Sequence, residues 1–164
     1  MRVNCKRDGS TVRKGGSAKK RAVINGGAKM MTKEEAVFKN SLIRVEIEES
    51  EVPWLKIFTQ AERREFSECT HDEKAAILEA LDLIEKEMLS YYRPAKINIA
   101  SFGNYLPLVH WHIMARFKED SYFPEPMWGA RQRVSCLELP SFELFCAQVN
   151  LKLEKKMQSV SLNG

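Results

Sequence analysis

Apolar and polar residues alternate over Ser41–Glu49 (SLIRVEIEE), with Leu42 set against Ile43, Val45 and Ile47. A period of two predicts a half-buried strand. Trp54–Thr59 (WLKIFT) gives a second strand after Pro53. The period then changes. Thr70-His-Asp-Glu73 is a capping box, in which the threonine hydroxyl accepts from an early backbone N–H and the glutamate reaches back. Behind it Ile77, Leu81, Ile84 and Met88 recur at helical spacing to about Tyr92, and Pro94 prevents continuation. Two more strands follow, Lys96–Ser101 and Leu108–Phe117, joined by Phe102–Pro107. Phe123-Pro-Glu-Pro-Met-Trp128 reads as a proline-stiffened excursion that packs on the domain, or as a lid or dimer contact near a bound ligand. A last helix over about 141–157 carries Phe142, Phe145, Cys146, Val149 and Leu153 on one side. This order predicts a single α+β domain over 31–164. Its antiparallel sheet of about five strands runs as a meander, with one long helix on a face and a C-terminal helix.

The net charge of +4 conceals an asymmetry. Residues 1–30 hold nine Lys/Arg against Asp8 alone, a net +8, and the remainder carries −4. This leader is rich in Gly and Ser without apolar periodicity, and its composition predicts disorder. It reads as an upstream extension with the true start at Met30 or Met31, as a basic tail touching nucleic acid loosely, or as an organelle-targeting leader. The first is preferred, because the Met-Met pair sits where the composition changes. No apolar run approaches the roughly 20 residues of a membrane helix, so no membrane partner is expected. Cys5, Cys69, Cys136 and Cys146 are scattered with no CxxC pair. They indicate neither a disulfide framework nor a zinc site, and Cys69, Cys136 and Cys146 read as small apolar fillers. The default setting is cytoplasmic.

The chemistry concentrates in the fourth strand. Alternation turns Val109, Trp111, Ile113 and Ala115 inward and leaves Leu108, His110, His112 and Met114 together on the other face. Two imidazoles side by side, with Gly103-Asn104 just upstream, suggest phosphate chemistry. His112 follows His110 by about 6–7 Å along the strand. Taken alone, the pair also reads as ordinary strand histidines, one of them hydrogen-bonded in the core. His-x-His is a common metal pair, but no third ligand stands at a fixed spacing, so no metal site and no cofactor are expected. His71 reads as a solvent-facing first-turn residue. Arg116 shares the histidine parity but sits at the strand end, toward solvent.

Together these motifs resemble the histidine-triad (HIT) family of nucleotide-binding hydrolases and transferases over about residues 40–130. Gly103-Asn104 resembles the family's turn, and Leu108-Val-His-Trp-His112 resembles its signature with the first histidine replaced by leucine. Ala115-Arg116 stands where Pro-Arg is common. Glu51-Val-Pro-Trp-Leu55 and Phe123–Trp128 are similar to segments of bacterial branches, and the usual upstream histidine of the second strand is missing, with Trp54 and its neighbours in that region. The resemblance implies a homodimer whose ligand is a purine nucleotide or nucleotide conjugate. It implies cleavage at the α-phosphate of a dinucleoside polyphosphate or phosphoramidate, with His110 as nucleophile through a nucleotidyl-histidine intermediate. His112, when protonated, would hold a non-bridging oxygen. Asn98, Ser101, Gly103 and Asn104 would serve the phosphate or sugar. Leucine at 108 predicts slower chemistry or a narrower substrate range. The rival reading is a catalytically degenerate nucleotide-binding protein. Nucleic acid, through residues 1–30, is the weakest reading and is not expected as a partner.

Overall fold

The computed structural model describes residues 36–161, with side chains described as far as residue 158. The reading of the basic leader therefore falls outside the described residues. Five strands, β1 (Phe38–Lys39), β2 (Ile43–Ile47), β3 (Trp54–Thr59), β4 (Lys96–Ala100) and β5 (His110–Arg116), form one antiparallel sheet in the order β1-β2-β3-β5-β4. Two helices complete it, α1 (His71–Tyr92) and α2 (Phe142–Ser161). This is the α+β architecture the periodicity predicts, but the sheet is not a simple meander. α1 carries the chain from β3 to the far edge, and β5 returns to the gap between β4 and β3. β1 is too short for a periodic signal. Asn40 Oδ1 accepts from the Leu42 and Ile43 N–H groups and closes the β1–β2 turn, so β2 begins two residues later than the alternation suggests.

One face of the sheet carries Ile43, Val45, Leu55, Ile57, Ile113 and Ala115, all fully buried. Ile77, Leu81, Ile84 and Met88 of α1 pack against them, joined by Ala76 and Ala80. Each such large side chain contributes roughly 1.5–3 kcal/mol by leaving water. Thr70 caps α1 by accepting from Glu73 N–H, and Glu73 accepts from Thr70 N–H in return. The helix ends where Arg93 turns left-handed (φ 50°) ahead of Pro94. α2 buries Phe145, Cys146, Val149 and Leu153, contacts α1 and β1, and runs on to Ser161.

Cys69 and Cys146 are buried and free, whereas Cys136 is exposed and so is no apolar filler. His71 is exposed at the start of α1, as expected. Among the described residues no helix is long and apolar enough to cross a membrane.

Candidate active site

β5 lies between β3 and β4, and its register sets what faces the histidines. Phe58 stands opposite His110, Lys56 opposite His112, and Trp54 opposite Met114. On the other side Ala100 faces His112 and Asn98 faces Met114. Directly paired residues of an antiparallel sheet share a face. Phe58, His110, His112, Trp54 and Asn98 therefore share one surface, away from α1. Inward, Ile113 and Ala115 are fully buried and Val109 nearly so, while Trp111 is only partly buried, its ring edge-on to Phe66.

The two imidazoles hold opposite tautomers. His110 Nδ1 is 2.8 Å from the Leu108 carbonyl. A carbonyl only accepts, so Nδ1 carries the proton and Nε2 is left with its lone pair. At His112 the Trp54 indole Nε1–H donates to Nδ1 at 3.0 Å. An indole only donates, so Nδ1 is bare and Nε2 carries the proton. That Nε2 is buried and has no partner among the described residues. Burial, then the neighbouring His110 and Lys56, lower the His112 pKa to about 4, with Glu48 opposing. His112 is thus neutral at pH 7, a correction to the protonated phosphate clamp. It remains a hydrogen-bond donor without being a cation.

Aromatic rings line both histidines. Phe58 stacks on His110 with centroids 4.8 Å apart, and Phe102 stacks on His112 at the same distance. The two imidazoles meet edge to face at 4.8 Å, closer than the rise along the strand alone suggests. Trp128, from the proline-stiffened excursion, rests edge-on against Phe102 at 4.5 Å and lies near Trp54. The Arg44 guanidinium sits 4.4 Å from the Phe58 centroid. Phe58 also lines a small cavity of about 130 Å³ with Arg44, Thr59, Leu108 and Val109. A groove of about 800 Å³ between Phe38–Leu42, the start of α1 and the end of α2 includes none of these residues.

The remaining expected site residues divide. Asn98 lies on the histidine face, but its Oδ1 accepts from Arg116 at 2.9 Å, which leaves its amide N–H groups to meet a ligand. The Ser101 hydroxyl is spent on the His110 carbonyl at 2.9 Å and braces the strand. Gly103 and Asn104 line a cavity of about 220 Å³ with Arg64, Glu65 and Pro107. A Cβ at Gly103 would stand 2.9 Å from the Leu106 carbonyl and 3.4 Å from that of Leu108. The glycine therefore permits the loop that delivers the Leu108 carbonyl to His110. The Val109 N–H donates to the Arg63 carbonyl at 2.7 Å and fixes the start of the same segment.

Arg116 corrects the sequence reading most sharply. It is 1% exposed, not directed to solvent. Its Nε and one terminal nitrogen donate to Asp120 at 2.8 and 3.0 Å, and the guanidinium also donates to Asn98 and to the Glu125 carbonyl. Asp120, fully buried, accepts in addition from the Phe117, Tyr122 and Phe123 N–H groups. Burial pushes the Asp120 carboxyl up, but Arg116 and these three N–H groups outweigh it and hold it below its ordinary range. The excursion that carries Trp128 is thereby fastened to the end of β5. Among the described residues no group of three or more His, Cys, Asp or Glu is arranged to hold a metal ion.

The family model of the HIT domain matches residues 38–119, half of the chain. Among solved structures the fold is similar to a histidine triad protein from Bradyrhizobium japonicum, with TM-score 0.57 and 22% identity over 74% of this chain and 89% of that one. It is also similar to one from Sinorhizobium meliloti, with TM-score 0.56 and 25% identity over 70% of this chain and 85% of that one. A third, from Marinobacter aquaeolei, gives TM-score 0.56 and 23% identity over 76% and 89%. No curated protein sequence matches the chain.

Proposed function

The chain belongs to the HIT domain family, and from that premise we propose that it is a nucleotide hydrolase or nucleotidyl transferase acting at the α-phosphate of a nucleotide conjugate through His110. The observation that carries this reading is the bond from His110 Nδ1–H to the Leu108 carbonyl, which leaves Nε2 as a neutral nucleophile. Neutrality matters because phosphate oxygens repel anionic attackers. In the first step the Nε2 lone pair forms a bond to the α-phosphorus. The bond from phosphorus to the leaving group breaks, and the leaving group takes the electron pair. The ring becomes a nucleotidyl-imidazolium whose Nδ1–H still donates to Leu108. In the second step water or another acceptor attacks phosphorus, the P–N bond returns its pair to Nε2, and the acceptor's proton passes to solvent. His112 Nε2–H and the Asn98 amide are the donors to the charge that develops on the phosphoryl oxygens. By the family reading the protein is a homodimer.

A second reading, a binder that does not turn nucleotide over, is favoured by Leu108 in place of the first histidine and by the burial of His112 Nε2. Covalent capture separates the two. Residues 31–164 and the His110→Ala variant are given diadenosine polyphosphates and an adenosine phosphoramidate, then acid-quenched or denatured for mass spectrometry. Release of mononucleotide and a nucleotidyl adduct, both lost in the variant, is the expected result. Thermal stabilisation by nucleotide with neither release nor adduct overturns the enzyme reading in favour of the binder.

A further inference from the structure

We propose that Trp54 is a positioning residue that locks His112 as a neutral Nε2–H donor, so that the site takes nucleotide conjugates whose leaving group departs as an anion, of the phosphoanhydride class. The inference rests on the reading of His110 as nucleophile and deepens it. Its geometric basis is the contact between two ring nitrogens. Trp54 Nε1–H donates to His112 Nδ1 at 3.0 Å. A proton added to Nδ1 would set one N–H against another at that distance, on an imidazole that is itself buried. The lowered affinity of His112 for a second proton agrees with this.

The charged groups around His112 are already committed. Lys56 of β3, directly opposite His112, pairs with Glu48 at 2.6 Å. Arg44 of β2 donates to Glu46 and to the Thr59 carbonyl. Arg116 at the end of β5 is bound to Asp120, Asn98 and Glu125. From β4 the facing residue is Ala100, and the Phe102 and Trp128 rings carry no charge. His110 must itself stay neutral to attack. The histidine face therefore offers a nucleophile and hydrogen-bond donors, but no imidazolium to protonate a leaving group. A phosphoanhydride oxygen leaves without a proton, because the electron pair spreads over the departing phosphate. A phosphoramidate nitrogen leaves readily only after protonation. Trp54, through the tautomer it fixes on His112, thus favours the phosphoanhydride over the phosphoramidate.

The test uses the full chain and has two arms. In the first, long-range nitrogen–proton NMR of the ligand-free protein reads the His112 tautomer from pH 5 to 8, in the wild type and in Trp54→Phe. The expected wild-type result is the Nε2–H tautomer throughout, with scalar coupling across the indole-to-imidazole bond. In Trp54→Phe the tautomer ratio should relax by about 5- to 10-fold, the loss of one buried hydrogen bond, and the titration midpoint should rise. A wild-type His112 that titrates near its ordinary value, or that carries its proton on Nδ1, overturns the proposal, and this result needs no variant to fold. In the second arm, kcat/KM is compared for a diadenosine polyphosphate and an adenosine phosphoramidate. The wild type should prefer the anhydride, and Trp54→Phe should narrow the preference. Equal losses on both substrates with an unchanged tautomer mean a merely structural tryptophan and overturn the proposal. If the wild type turns over neither substrate, the His110 reading fails and the substrate claim falls with it, while the NMR arm alone decides the role of Trp54.

Discussion

Replacing Asp120 by alanine tests whether the excursion bearing Trp128 is fastened as the buried pair implies. Asp120 accepts five hydrogen bonds, two from Arg116 and one each from the Phe117, Tyr122 and Phe123 N–H groups. The substitution leaves Arg116, 1% exposed, with only Asn98 and the Glu125 carbonyl as acceptors. Three orphaned N–H groups at about 1 kcal/mol each already give about 3 kcal/mol. An uncompensated buried charge brings the expected loss to about 3–5 kcal/mol. Urea unfolding followed by far-ultraviolet circular dichroism measures it as a midpoint lowered by at least about 1 M. The double variant Arg116→Met/Asp120→Ala removes the stranded cation and should recover part of the loss. The carboxyl is held below its ordinary range in the folded state. Its contribution is therefore complete above the unfolded pKa and is lost as the pH falls through the folded one. Wild type and variant should thus converge in acid. A loss under about 1 kcal/mol, or a double variant less stable than Asp120→Ala, would mean that water reaches the pair and that the excursion is held by something else.

Other expectations follow from the same face. Gly103→Ala should lower turnover several-fold more than it lowers stability, because its Cβ displaces the segment carrying the Leu108 carbonyl that orients His110. Equal losses in rate and in unfolding free energy would count against that link. Leu108→His should raise turnover by roughly tenfold or more, in the range of an added proton donor or acceptor. Unchanged kcat would mean that position 108 plays no part in the chemistry. Because His112 is neutral until about pH 4 but titrates near 6.5 once unfolded, the unfolded chain binds the extra proton between those values. Stability should fall by up to about 3 kcal/mol as the pH drops across that window and flatten below it. His112→Gln, compared by denaturant titration at pH 7 and 4.5, should abolish most of this slope, and a variant that keeps the wild-type slope refutes the assignment.

How much of this was legible in the chain depends on how local each cause is. The period-two runs, the Thr70–Glu73 capping box, the α1 stripe and the His110/His112 parity are short-range patterns. Each is written in adjacent residues, and the structure carries each one. The turn and the altered triad carried the family in the same way, through spacing along a single strand. Trp54 and Phe58 were visible only as strand residues, because nothing near them in sequence says which strand they will face. That was decided when β5 inserted between β3 and β4. The insertion brought an indole donor to one imidazole and a stacking ring to the other.

Arg116 shows the same division. Its parity was correct and its environment was not, because the buried acceptors come from a loop that folds back over the sheet. Ser101, Gly103 and Asn104 were placed by motif at the phosphate. In the fold the Ser101 hydroxyl braces the His110 carbonyl, Gly103 makes room for the Leu106–Leu108 segment, and Asn104 lines a small cavity beside it. By itself the sequence determined the elements, the histidine-bearing strand and the family, since hydrophobic period and cap chemistry act within a few residues. The tertiary structure alone decided which nitrogen of each histidine is free and which charge is buried. Those depend on donors and acceptors brought from distant segments, whose register no local pattern encodes.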